Sequence, residues 1–175
     1  MKYTVTVLVH NQTGVLTRIS NLFARRGYNI ESLAVGQSEI LNVSRITLVL
    51  PGTKRSVAQV VKQLFKLVDV IKVENIADTA CVERELMLIK LNSEGNNRAK
   101  ILEIATIFRA HIVDFSLESL TLEVTGDPGK IVVIEQALRS FGVIEIARTG
   151  RIVLTRESNI NTERLRQSEE STVHL

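Results

Sequence analysis

The segment Asn11-Gln12-Thr13-Gly14-Val15-Leu16 is where residue types and spacing in this 175-residue chain best suit a ligand. It lies between an alternating run that predicts a strand and a helically spaced run, so it stands at a helix N-terminus. Unpaired N–H groups and a partial positive charge gather there and favour a carboxylate. Gly14 has no Cβ and lets a ligand approach the backbone closely. Asn11 offers its amide oxygen to an ammonium group or its NH₂ to a carboxylate. This is the chemistry of a free amino acid, with its carboxylate on backbone N–H groups, its ammonium on a side-chain carbonyl and its side chain in an aliphatic pocket. A plain turn in which Asn11 caps the helix accounts for the same residues.

No comparable case exists for catalysis. The three histidines (His10, His111, His174) and Cys81 are scattered, with no His pair at i, i+4, no GxSxG elbow and no phosphate-cradling GxGxxG or GxxxxGK[ST]. His10 ends the first strand beside the loop and reads either as a ligand contact or as a polar strand end. Asp114 and Glu118 flank a turn, where carboxylates are ordinarily solvated. Cys81 reads as a small, half-buried residue of a connector. One cysteine excludes an intrachain disulfide and paired-cysteine metal sites. No catalytic and no metal-binding residues are expected.

The elements that must position the loop follow from periodicity. Tyr3, Val5, Val7 and Val9 alternate with Thr4, Thr6 and Leu8, which predicts a strand. Val15, Leu16, Ile19, Leu22 and Phe23 predict a helix ended by Arg25-Arg26-Gly27. Strands are expected at about 28–37 and 43–50, a helix through Val57, Val60, Val61, Leu64 and Phe65, and a strand at 70–76. The pattern then returns: a strand over Leu86–Leu91, a helix through Ile101, Ile104, Ala105, Ile107 and Phe108, strands at 111–116 and 119–125, a helix over 131–141 and a strand over 143–155. The repeat near 85 residues (Ile19 to Ile104) predicts an α+β fold of two tandem ferredoxin-like βαββαβ domains. They are expected over 3–78 and 79–156, followed by a polar, disordered tail over 157–175. Apolar residues of both parities, Ile46, Leu48 and Leu50 against Val43 and Val49, predict that the face away from the helices is covered, most simply by self-association.

Composition agrees with a folded, water-soluble chain: 45% hydrophobic, 23% charged, 4% aromatic and net charge +3. Residues 1–79 hold ten Lys/Arg against five Asp/Glu, and residues 80–156 hold ten against ten. The basic residues are dispersed. RNA-recognition motifs share the βαββαβ order but stack bases on central-strand aromatics, and Val43–Leu50 has none, so no nucleic acid is expected. No apolar run approaches the roughly 20 residues of a membrane span, and no leader precedes the first strand, so the expectation is a cytoplasmic protein without membrane contact.

Beyond periodicity, Asn11-Gln12-Thr13-Gly14-Val15-Leu16-Thr17-Arg18 and Leu22-Phe23-Ala24-Arg25-Arg26-Gly27-Tyr28-Asn29-Ile30-Glu31-Ser32-Leu33 closely resemble the small subunit of acetolactate (acetohydroxyacid) synthase. So do the segments 63–70, Val82-Glu83-Arg84-Glu85-Leu86-Met87-Leu88-Ile89-Lys90 and Ile146-Ala147-Arg148-Thr149-Gly150. The resemblance implies an N-terminal ACT domain that binds an effector, and a C-terminal ACT-like domain. It implies a regulatory subunit that activates a catalytic large subunit and confers feedback inhibition by branched-chain amino acids, chiefly valine. Thiamine diphosphate, FAD and Mg²⁺ are then expected on the large subunit and no cofactor on this chain. It further implies a homodimer through ACT domains, with the effector between the loop after the first strand of one copy and the start of the second strand of the other. Matched by motif, the effector positions are Asn11, Gly14, Val15 and Leu16 with Asn29 and Ile30. The second unit has Ala99 85 residues after Gly14, and no second effector site is expected there. Were the gene in a plastid genome, the compartment would be the plastid stroma.

Overall fold

Val5, Val7 and Val9 share one face of the first strand and are all buried, which is what their alternation demands. The computed structural model describes residues 1–95 and 97–157; the tail expected over 157–175 lies, from residue 158 on, outside them. The elements are β1 (Lys2–His10), α1 (Val15–Arg26), β2 (Ser32–Gln37), β3 (Val43–Pro51), α2 (Lys54–Leu64), β4 (Val70–Asn75), β5 (Cys81–Asn92), α3 (Asn97–Ile107), β6 (His111–Phe115), β7 (Ser119–Gly126), α4 (Pro128–Leu138), β8 (Val143–Arg148) and β9 (Ile152–Thr155). They form two compact units, Met1–Val82 with the chain from Val153 on, and Glu83–Ile152. Each is a βαββαβ unit of the ferredoxin-like type.

In the first unit the antiparallel sheet runs β2-β3-β1-β4. Val5 faces Leu48, and Val7 faces Ile46 on one side and Val73 on the other. This row packs on Ile19 and Phe23 of α1 and on Val57, Val60 and Leu64 of α2. The ends of α1 and α2 show why the helices stop and start where they do. Gly27, at φ +66°, donates to the Ala24 carbonyl, and Tyr28 donates to that of Phe23. This is a Schellman end, closed by the edge-to-face contact of Phe23 with Tyr28, ring centroids 6.4 Å apart. Thr53 caps α2 through a reciprocal box with Ser56.

In the second unit the order is β6-β7-β5-β8. Met87, Ile89, Leu91, Leu120, Leu122 and Val124 pack under Ile101 and Ala105 of α3 and Ile131, Ile134 and Leu138 of α4. Asp127 caps α4, accepting from the Lys130 N–H, with Pro128 in the first turn.

Four expectations are corrected. The second strand starts at Ser32 rather than 28, because residues 27–28 complete the end of α1. The fifth strand starts at Cys81 rather than Leu86. The last strand over 143–155 is two strands, broken where the Thr149 N–H donates to the Leu86 carbonyl and its Oγ1 accepts from the Leu86 N–H. Over the first strand and helix of each unit the repeat offset is 82 residues (His10 to Asn92) rather than 85. The N–H groups of His10 and Asn92 make the same bond to the last connection of their units, and Tyr28 and Ala110 close α1 and α3 alike.

Thr4, Thr6, Val43, Thr47 and Val49, on the face away from α1 and α2, are all buried within the single chain. Exposed apolar side chains gather instead at the sheet edge and its hairpin, with Val35 at 50% and Leu41 at 87% relative exposure.

Candidate functional site

The loop between β1 and α1 is pinned by its backbone on two sides. The His10 N–H donates to the Asp69 carbonyl at 2.9 Å, and the Asn11 N–H to the Asn42 carbonyl at 2.8 Å. Gly14, at φ +84°, is the residue that caps α1, and it brings no side chain to the N–H groups of the first turn. Asn11 therefore does not cap the helix, and the plain-turn account of the loop loses its main role for that side chain. The first turn of α1 also holds no acidic residue. The Val15 N–H donates to the Gln12 carbonyl, and no bond is made by the N–H groups of Leu16 and Thr17 among the described residues, at the positive end of α1 that suits an anionic group.

Asn11 and Leu16 are exposed at this turn and Gly14 is half-buried. Val15 does not present its side chain there: it is buried in the core, and its N–H donates to the Gln12 carbonyl at 3.4 Å. Asn29 and Ile30 are not brought to the loop within one chain. They follow the far end of α1, a 12-residue helix and so about 18 Å long. Asn29 is exposed, and Ile30 packs against the core.

Sequence reasoning missed three features. A cavity of about 270 Å³ lies beside Asn11, walled by Gln37–Val43 of the β2–β3 hairpin. Asn42 holds this wall in place at φ +59°. Asparagine is the residue that most readily takes that conformation, and this was the signal available. The Glu39 carboxyl in the same hairpin is held below its ordinary pKa, chiefly by a hydrogen bond from its own backbone and then by the Arg45 guanidinium. Third, Arg18 Nε donates to Asp69 Oδ2 at 2.7 Å, and Arg18 Nη1 would stand 3.2 Å from a Cβ placed on Gly14. Position 18, one helical turn after Gly14, was the clue to that contact.

The other candidates stay apart. His10 ends β1, exposed, and His111 opens β6, also exposed. The carbonyl of Cys81, at the start of β5, accepts from Arg156 Nε at 3.2 Å. His174 lies outside the described residues. Among the described residues no group of three or more His, Cys, Asp or Glu could hold a metal, and no helix is long and apolar enough to cross a membrane.

The second unit has the same backbone frame and a different loop. The Ser93 N–H donates to the Glu118 carbonyl, as Asn11 does to Asn42. Arg98 closes over the loop, donating to the Leu117 carbonyl at 2.6 Å and stacking 4.7 Å from the Phe115 ring. With the 82-residue offset (His10 to Asn92) the counterpart of Gly14 is not Ala99 but position 96, outside the described residues.

Two βαββαβ units, the first with an open glycine turn at a helix N-terminus, define the ACT-like class of ferredoxin-fold proteins. Residues 5–72 match the AHAS small subunit-like ACT domain, and residues 84–157 match the small subunit of acetolactate synthase. The chain belongs to the acetolactate synthase small-subunit family. It is 47% identical to the probable acetolactate synthase small subunit of Archaeoglobus fulgidus, covering 89% of this chain and 98% of that one. It is 54% identical to acetolactate synthase small subunit 2, chloroplastic, of Arabidopsis thaliana, over 89% of this chain but only 32% of that longer protein. The crystal structure of the small subunit from Thermotoga maritima superposes with a TM-score of 0.82 at 38% identity, over 89% of this chain and 98% of that one.

Proposed function

We propose that this chain is a regulatory subunit of acetolactate synthase, which activates a catalytic large subunit and makes it sensitive to valine. The observation that carries the effector site is the Gly14 turn, pinned by backbone bonds to Asp69 and Asn42 and left without a side-chain cap. The effector's carboxylate is read by the N–H groups at the start of α1, its ammonium by Asn11, and its aliphatic side chain by Leu16 and by Ile30 of a second copy. Asn29 and Ile30 sit at the far end of α1, so the six positions form one site only across a homodimer of the N-terminal unit. The edge strand β2, with Val35 exposed, is the surface for that pairing.

Thiamine diphosphate, FAD and Mg²⁺ are assigned to the large subunit, and the working compartment is the cytoplasm, or the stroma for a plastid gene. Valine bridging two N-terminal units favours one dimer arrangement, and the bound large subunit favours another. A coupling of roughly 1–3 kcal/mol between the two is enough for feedback control. The test is reconstitution with the large subunit. The chain is expected to raise synthase activity and valine to reverse the gain, while Gly14→Asp keeps activation and loses inhibition. Synthase activity from the chain alone, or normal valine inhibition with Gly14→Asp, would overturn the reading.

A further inference from the structure

Arg18 stands on the first turns of α1, and its side chain leans back towards the helix N-terminus, as helical side chains do. Its guanidinium is shared between two neighbours. Nε donates to Asp69 Oδ2 at 2.7 Å, and Nη1 lies beside the bare face of Gly14. Asp69 is nearly enclosed, its side chain 12% exposed against 47% for Arg18. The carboxylate is thus a fixed post, and the guanidinium is the part that meets solvent. A guanidinium carries five donors in a planar fork, and the bond to Asp69 is the one hydrogen bond of the Arg18 side chain among the described residues. The donors left over face the turn.

The fold does not require this pair. The second unit makes the same backbone bond, Asn92 N–H to the Gly142 carbonyl at 2.9 Å, with glycine where the first unit has Asp69. The carboxylate at this connection belongs to the first unit alone, where it meets Arg18.

We propose that Arg18 is the specificity-determining residue for a free carboxylate at the Gly14 turn, and that Asp69 is the residue that positions it. The proposal rests on the effector-site reading above and deepens it. The turn would select α-amino acids with an ionised carboxylate over their amides, whichever aliphatic side chain the rest of the site prefers. Charge-assisted hydrogen bonds to a planar fork are the strong kind, and loss of one is expected to weaken binding by roughly 10- to 100-fold.

The experiment is a calorimetric titration of the full chain with valine and, separately, with valinamide, which keeps the ammonium and side chain but lacks the carboxylate. The natural chain is expected to bind valine well ahead of valinamide. In Arg18→Gln the valine affinity should fall by the factor above while valinamide is unchanged, so that the preference collapses. Arg18→Lys should restore part of it, and Asp69→Asn should lose several-fold with Arg18 still present. Should Arg18→Gln fail to fold because Asp69 is left unpaired, the double variant Arg18→Gln/Asp69→Asn removes that buried charge and serves instead. A natural chain that prefers valine and an Arg18→Gln variant with the same preference would overturn the assignment of Arg18 alone. A natural chain that binds neither compound would remove the effector-site reading and this proposal with it.

Discussion

At the scale of single residues, Gly14 combines two constraints that other residues cannot meet together. Its φ of +84° is strained for any residue with a Cβ, and that Cβ would stand 3.2 Å from Arg18 Nη1. The two effects separate by substitution. Gly14→Ala adds the strain and a small intrusion, since Nη1 is the far end of a flexible side chain. It should cost about 1 kcal/mol of stability and raise the valine concentration for half-inhibition several-fold. Gly14→Asp also sets a carboxylate on Arg18 and should abolish inhibition. Denaturant melts and valine titrations of the reconstituted complex, run on both variants, check this. The loop residues Asn11, Gly14 and Leu16 were legible because a strand end, a glycine and a helix start fall within six positions. Type and spacing do not say which face of the first turn enters the core, and only the fold shows that the Val15 side chain is buried. Asp69 was invisible as a partner because it is 51 residues from Arg18, and only the folded sheet brings them together.

At the scale of elements, the two units solve the same helix end differently. α1 stops at Gly27, whereas α3 stops with Arg109 in the left-handed conformation at φ +51°. The same pair of bonds is made at both ends, by Gly27 and Tyr28 and by Arg109 and Ala110. Arg109→Gly should therefore relieve strain and stabilise the protein by about 1 kcal/mol, seen as a rise in the denaturation midpoint. A second expectation concerns the β2–β3 hairpin beside Asn11. The pKa of Glu39 is lowered in the folded state, so its contribution is present above the ordinary carboxyl pKa and is lost as pH falls through the lowered value. Amide exchange in residues 38–43 should quicken in acid relative to the sheet, and Glu39→Gln should remove that pH dependence. Equal acid sensitivity in Glu39→Gln would refute it. Element types followed from apolar periodicity, but their ends did not. The start of β2 depends on the Phe23–Tyr28 contact, and the break between β8 and β9 on bonds from Thr149 to Leu86.

At the scale of the whole molecule, the proposed assembly carries two expectations. Val35 is half exposed on the edge strand β2, where a lysine would oppose pairing of two copies without touching the core. Val35→Lys should shift sedimentation towards the monomer and weaken valine binding in parallel, while leaving the melting of the isolated chain within about 0.5 kcal/mol. The excess of ten basic over five acidic residues in 1–79 is more than an effector of one carboxylate needs. If it serves docking on the large subunit, the association constant should fall steadily as salt rises through the range where the Debye length drops below about 10 Å. A constant independent of salt would exclude that role.

The amino-acid sequence by itself determined the number of units, the order of their elements, the class of fold and the glycine turn between β1 and α1. Each of these is local: it depends on alternation, helical spacing, or residue types within a few positions of one another. The tertiary structure decided what depends on distant residues meeting. It moved the repeat offset to 82 residues over the first strand and helix (His10 to Asn92), set Asn29 and Ile30 at the far end of α1 from Gly14, and joined Arg18 to Asp69. Pattern fixes which way a side chain faces relative to its own element. Only packing fixes which other element it faces, and the recognition of a ligand is settled at that second step.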